Sequence, residues 1–177
     1  MSPHLQSLID QLESQREGIL EDIRGFTTEK LTRTPSPGKW SIAEILSHII
    51  TAERMSLLYM QKKIQGISET KDSGLMEEAK MVVLKISQRL PGLKFKAPKR
   101  VIENTAQYAE LSTIIAAWTQ VRQELRLLLD QIPDSLQRRL VYKHPVAGYL
   151  NVKQALQFFY EHVYHHTPQL KKLTKSK

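Results

Sequence analysis

Three of the six histidines in this 177-residue chain fall within five positions, in the stretch Phe158-Phe159-Tyr160-Glu161-His162-Val163-Tyr164-His165-His166-Thr167-Pro168-Gln169. On a helix, His162 and His166 share one face about 6 Å apart along the axis, a spacing that lets two imidazoles converge on one cation. The helical wheel sorts the three. At about 100° per residue, the apolar residues Val152, Leu156, Phe159, Val163, Leu170 and Leu173 form one stripe. His162 and His166 lie at its inner edge, whereas His165 lies clear of it as a neighbour. Two neutral imidazoles facing an apolar interior need polar partners, and charging both there is costly. A shared cation satisfies both, provided that a third ligand exists.

Composition restricts what that ligand can be. The chain has no cysteine, which excludes disulfides, thiolate metal sites and a cysteine nucleophile, and leaves nitrogen or oxygen to hold any metal. A third candidate is His48, in Trp40-Ser41-Ile42-Ala43-Glu44-Ile45-Leu46-Ser47-His48-Ile49-Ile50. Periodicity alone places it on the flank of its helix's apolar stripe, and a surface histidine is the simpler reading there. Glu-x-x-His pairs for a di-iron bundle, a Gly-rich phosphate loop and a Gly-x-Ser-x-Gly elbow are all absent.

Five segments must position these residues. Ser2-Pro3 opens a helix that keeps apolar spacing from Leu5 through Leu12 to Ile23, ending near Gly25. After the Pro- and Gly-containing loop 32–38, Ser41 and Glu44 form a capping-box signature for a helix reaching about Gly66. Leu75 to Leu90 reads as a shorter helix with Met76, Ala79, Val82, Val83 and Ile86 as its apolar face. Thr105 to Ile132 is a long helix around Trp118, closed by Pro133. Leu136 to Leu150 reads as a connector, and Asn151 caps the last helix, Val152 to about Leu173. Pro168 predicts a kink or an early end there. The expected architecture is all-α: an antiparallel four-helix bundle, with the additional shorter helix between the second and third long helices. Residues 1–177 form one domain, of which about 171–177 is a basic, frayed tail.

The formal charge is +8, with 26 basic and 18 acidic side chains. From Ala79 to Ile102 there are Lys80, Lys85, Arg89, Lys94, Lys96, Lys99 and Arg100 and no acid. A solvated face is the simplest account of that run. No helix-turn-helix, stacking platform or zinc-finger spacing accompanies it, so no nucleic-acid partner is expected. With neither an apolar signal core nor an apolar run of about 18 residues, the expectation is a cytoplasmic protein without a membrane anchor.

Gly38-Lys39-Trp40-Ser41-Ile42-Ala43-Glu44-Ile45-Leu46-Ser47-His48-Ile49, followed by Glu53, resembles the second-helix signature of the DinB-like (damage-inducible, YfiT-like) metalloprotein superfamily. His144-Pro145-Val146-Ala147-Gly148 and the later His162-x-x-x-His166-x-x-Gln169 are similar to that family's C-terminal motifs. The resemblance implies a four-helix bundle holding one divalent metal, nickel or zinc, with His48, His162 and His166 as ligands. It also implies a small-molecule substrate and a homodimer. Within the family are thiol-dependent S-transferases, using bacillithiol or mycothiol, and proteins described as metal-dependent hydrolases. The implied activity is S-transfer with a low-molecular-weight thiol cosubstrate; hydrolysis and a non-catalytic metal-stabilised interaction module are the alternatives.

Overall fold

The computed structural model describes residues 1–90 and 99–175, with the side chains of 99 and 100 excepted. Four long helices, α1 (Pro3–Asp22), α3 (Ile42–Ile64), α6 (Leu111–Asp130) and α7 (Val152–Thr174), form a four-helix bundle. Contacts run round the ring from α1 to α7, α7 to α3, α3 to α6 and α6 to α1. Ion pairs Asp10–Arg126 and Glu13–Arg122 show α1 and α6 running antiparallel. Leu46, Ile49, Trp118, Leu125 and Phe159 are among the side chains sealed in the shared core.

Shorter elements complete the chain: α2 (Thr28–Thr32), α4 (Leu75–Arg89) and α5 (Lys99–Asn104). The expected shorter helix is α4, which packs outside the bundle against α7. Its orientation differs from the one its sequence suggests. Met81, Leu84 and Gln88 face inward, while Met76, Val82, Val83 and Ile86 face solvent. Polar contacts to α7 fix that orientation. Gln154 donates to Glu78 at 3.0 Å, and Arg89 grips the buried Glu161 carboxylate through two bonds of 2.6 and 2.8 Å. Lys94 and Lys96 of the basic run, and Lys177, lie outside the described residues.

The start of α6 comes six residues later than periodicity suggests. In the stretch before it, the Ala106 and Tyr108 amides donate to Thr51 Oγ1 and Ser47 Oγ on α3, at 3.3 and 3.2 Å. Side chains of a neighbouring helix thus take the donors that a helical turn would have used.

The segment read as a connector contains an antiparallel hairpin, β1 (Leu140–His144) and β2 (Gly148–Asn151). Gly148 opens β2 at φ 75°, a conformation glycine adopts without steric cost. The tail also differs from expectation, since α7 carries Lys171 and Lys172 as helix and runs to Thr174. Pro168 does not end that helix. Both Pro168 and Tyr164, whose carbonyl loses its helical donor, face solvent, so water can take the missing donor's place. Thr167 Oγ1 also donates to the Val163 carbonyl at 2.9 Å, supporting the same turn.

Candidate metal centre

Two capping boxes set the helices that carry the histidines. At the start of α3, Ser41 Oγ accepts from the Glu44 amide at 3.2 Å while Glu44 Oε2 accepts from the Ser41 amide at 2.7 Å. Asn151 and Gln154 make the same reciprocal pair at the start of α7, at 2.9 and 3.0 Å. Each box satisfies two otherwise unpaired amides and fixes where its helix begins. Asn151 Nδ2 also donates to Ser73 at 2.6 Å, anchoring that end of α7 to the α3–α4 connection.

Deeper in α3, Glu53 locks the helix to α6. Its carboxylate accepts from Arg122 at 2.7 Å and from Trp118 Nε1 at 3.1 Å, with all three side chains buried. Burial pushes the Glu53 carboxyl up, while Arg122 and the Trp118 bond pull it back towards the ionised form. The glutamate that follows His48 in the sequence motif therefore acts as a clasp between helices. It is not among the converging histidines.

The two capped helices bring His48, His162 and His166 together. Their rings make a nearly equilateral triangle, with centroid separations of 5.0, 5.2 and 5.0 Å. One ligand atom from each lies within 4.8 Å of the other two. Among the described residues this is the one group of three or more histidine or carboxylate side chains that converges in this way. His48 is buried at 7% exposure, so the flank position suggested by its helical wheel is corrected. His166 is buried and His162 half-buried. Trp40 covers the group, its ring 5.1 Å from His48 and stacked 6.3 Å from His166.

The donor set fits a metal ion. His48 Nε2 and His162 Nε2 stand 3.1 Å apart. Metal–imidazole bonds of about 2.0–2.1 Å put adjacent ligand nitrogens roughly 2.8–3.4 Å apart, from octahedral to tetrahedral angles. Protonation is suppressed at all three: burial, with a smaller contribution from neighbouring histidines, lowers His48 to about 4 and His166 to about 3. His162 is pushed well below the ordinary imidazole value, first by burial and then by His166 and His48. Lone pairs are therefore available at neutral pH, as metal ligation requires. Gln169 Oε1 lies 3.4 Å from His166 Nδ1, a long contact that favours a proton on Nδ1 and leaves Nε2 to face the group.

His165 stays outside the triangle, as its wheel position suggests. Its Nδ1 lies 2.9 Å from the Gln88 carbonyl, which accepts its proton and ties α7 to α4. The structure adds His144, at the hairpin turn. Its Nδ1 accepts from the Val146 and Ala147 amides at 3.1 and 3.0 Å, so the neutral ring carries its proton on Nε2. Burial lowers His144 to about 4. It packs 4.4 Å from Phe158, which in turn stacks 5.6 Å from His162. The His-Pro-x-x-Gly pattern was visible in the sequence, but this tautomer becomes legible only once the turn is formed.

A sequence profile of the DinB superfamily matches residues 11–170. The chain is 26% identical over 152 residues to the uncharacterized protein YuaE of Bacillus subtilis (strain 168), covering 86% of this chain and 88% of that one. Among solved structures it resembles YfiT from Bacillus subtilis, described as a probable metal-dependent hydrolase with an unusual four-helix bundle topology. That likeness has a TM-score of 0.60 at 15% identity and covers 99% of this chain and 89% of the other, a similarity of fold.

Proposed function

The chain belongs to the DinB superfamily, and from that premise we propose that it is a metal-dependent enzyme whose centre is one divalent ion held by His48, His162 and His166. The observation that carries this reading is the convergence of three neutral imidazoles with ligand atoms within 4.8 Å of one another. Three protein ligands leave coordination positions open, the pattern of catalytic rather than structural sites. An ion bound there would supply Lewis acidity, lowering the pKa of a bound water or thiol. Donor chemistry favours an ion that accepts imidazole, such as zinc or nickel.

The chain's own residues do the positioning. The two capping boxes hold α3 and α7 in register, and the Glu53–Arg122–Trp118 clasp keeps α3 from sliding against α6. Trp40 shields one side of the group. His144 offers a neutral hydrogen-bond donor at Nε2 near His162, suited to an uncharged or anionic oxygen on a substrate.

Hydrolysis of a small-molecule substrate is the leading reaction, supported by the description of the structural neighbour YfiT. Thiol S-transfer is the second reading. With no cysteine in the chain, its sulfur nucleophile would come from a low-molecular-weight cosubstrate. A two-armed assay tests both: chromogenic esters and amides in one arm, and a thiol with an electrophilic acceptor in the other. Turnover that requires added metal and is lost in His162→Ala supports an enzyme, and the active arm identifies the reaction. Metal binding without turnover in either arm favours a metal-stabilised interaction module.

A further inference from the structure

The three converging histidines bring no negative charge to an ion, and their neighbours bring none either. Among the described residues no carboxylate belongs to the group. Beside His166 stands the neutral side-chain amide of Gln169, 3.4 Å from Nδ1, and the indole of Trp40 covers His48 and His166. His165, the next ring out, meets the Gln88 backbone carbonyl at 2.9 Å. Metal-ligating histidines often hand their second ring N–H to a carboxylate, which offsets part of the ion's charge. Here the acids nearest in the chain are committed elsewhere. Glu44 accepts from the Ser41 amide, Glu53 is held by Arg122 and Trp118, and Glu161 is gripped by Arg89 with Lys85 at 3.9 Å. Residues 91–98 and 176–177, outside the described set, contain no acid in their sequence.

A divalent ion held by these residues therefore keeps its full double positive charge. With His48 7% and His166 8% exposed, little water is at hand to disperse it. Resting on the metal-dependent reading given above, we propose that the centre selects its small molecule by negative charge. A carboxylate oxygen or a thiolate sulfur takes an open position beside the three imidazoles. Charge neutralisation drives the selection, since a monoanion halves the net charge of a site in which charge is poorly solvated. A neutral amide of the same shape offers an oxygen without that gain, and an ammonium group is repelled. The surroundings lean the same way: Glu161, the residue before His162, is met by two bases, Arg89 and Lys85.

Loading with cobalt(II) tests this through the ion's visible absorption, which follows its ligands and is independent of turnover. Acetate is titrated against acetamide, and 2-mercaptoethanol against ethylene glycol, so that charge is separated from shape and oxygen from sulfur. The expected result is a saturable spectral change with acetate, the thiol or both, at concentrations about ten-fold or more below those of the neutral counterpart. The pair that shows the preference identifies the donor, and a thiolate adds a sulfur-to-cobalt charge-transfer band. Gln169→Glu places a carboxylate beside His166 at nearly unchanged side-chain size. It should hold cobalt at least as well as the wild type and weaken anion binding by about five-fold, because the added charge offsets part of the ion's attraction. Loaded protein that shows no preference in either pair overturns this inference and leaves the metal reading standing. An anion affinity unchanged in Gln169→Glu also overturns it, by removing charge as the cause. Protein that takes up no cobalt overturns the metal reading and this inference together.

Discussion

His48 Nε2 and His162 Nε2 stand 3.1 Å apart across the α3–α7 contact, although 114 positions separate them in the chain. The third member of the group is another neutral imidazole, His166. Three buried or half-buried rings with lowered pKa values need either one another's protons or a shared cation, and the cation satisfies all three lone pairs together.

Removing one ligand should separate the members of the histidine cluster. His162→Ala and His48→Ala are expected to abolish stoichiometric metal binding in isothermal titration calorimetry. His165→Ala should weaken it only modestly, because that ring acts through the Gln88 carbonyl. Equal losses from His165→Ala and His162→Ala would contradict the assignment.

Acid should unfold the metal-free protein through these same rings. A folded-state pKa lowered from 6.5 to about 4 at His48 and about 3 at His166 means that the unfolded chain binds protons first. Their contribution is fully present above about pH 6.5 and is lost as pH falls towards the folded values. Melting temperature in metal-free buffer should therefore drop between pH 6.5 and 4, and less steeply in His166→Gln. A flat profile over that window would sink this account of the centre.

Much of this arrangement was legible in the sequence, and its two failures have different causes. Ser41 with Glu44 and Asn151 capped helices where expected, because capping depends on a few adjacent residues. His48 was misplaced by its wheel because α3 is buried around most of its circumference: Leu46, Ser47, His48, Ile49 and Ile50 are all buried. A helix sealed on nearly every side has no stripe from which an angle can be measured. For α4 the opposite holds, since its apolar spacing is regular but contacts to Glu161 and Gln154 turn another face inward. The family motif supplied His48 where periodicity could not.

The Glu53–Arg122 clasp predicts non-additive mutations. Glu53→Ala leaves the buried Arg122 guanidinium with only the 4.0 Å contact to Glu13 and should cost about 3 kcal/mol, whereas Glu53→Leu/Arg122→Met should recover part of that loss. Urea denaturation of the two variants measures the difference. Additive losses would show that the two groups do not act as a pair.

Trp40 should report on the centre optically. With Trp118→Phe, Trp40 becomes the chain's one tryptophan, its ring 5.1 Å from His48. Titration with nickel or cobalt should quench its fluorescence and saturate at one equivalent. Unchanged emission in a metal-loaded sample would place the ion away from His48.

The most direct measurement is the metal content of tag-free protein by inductively coupled plasma mass spectrometry, paired with melting temperature before and after metal addition. One divalent ion per chain, lost in His162→Ala, with a higher melting temperature on loading, is the predicted result. Protein that carries no ion and melts at the same temperature with or without added metal would contradict it.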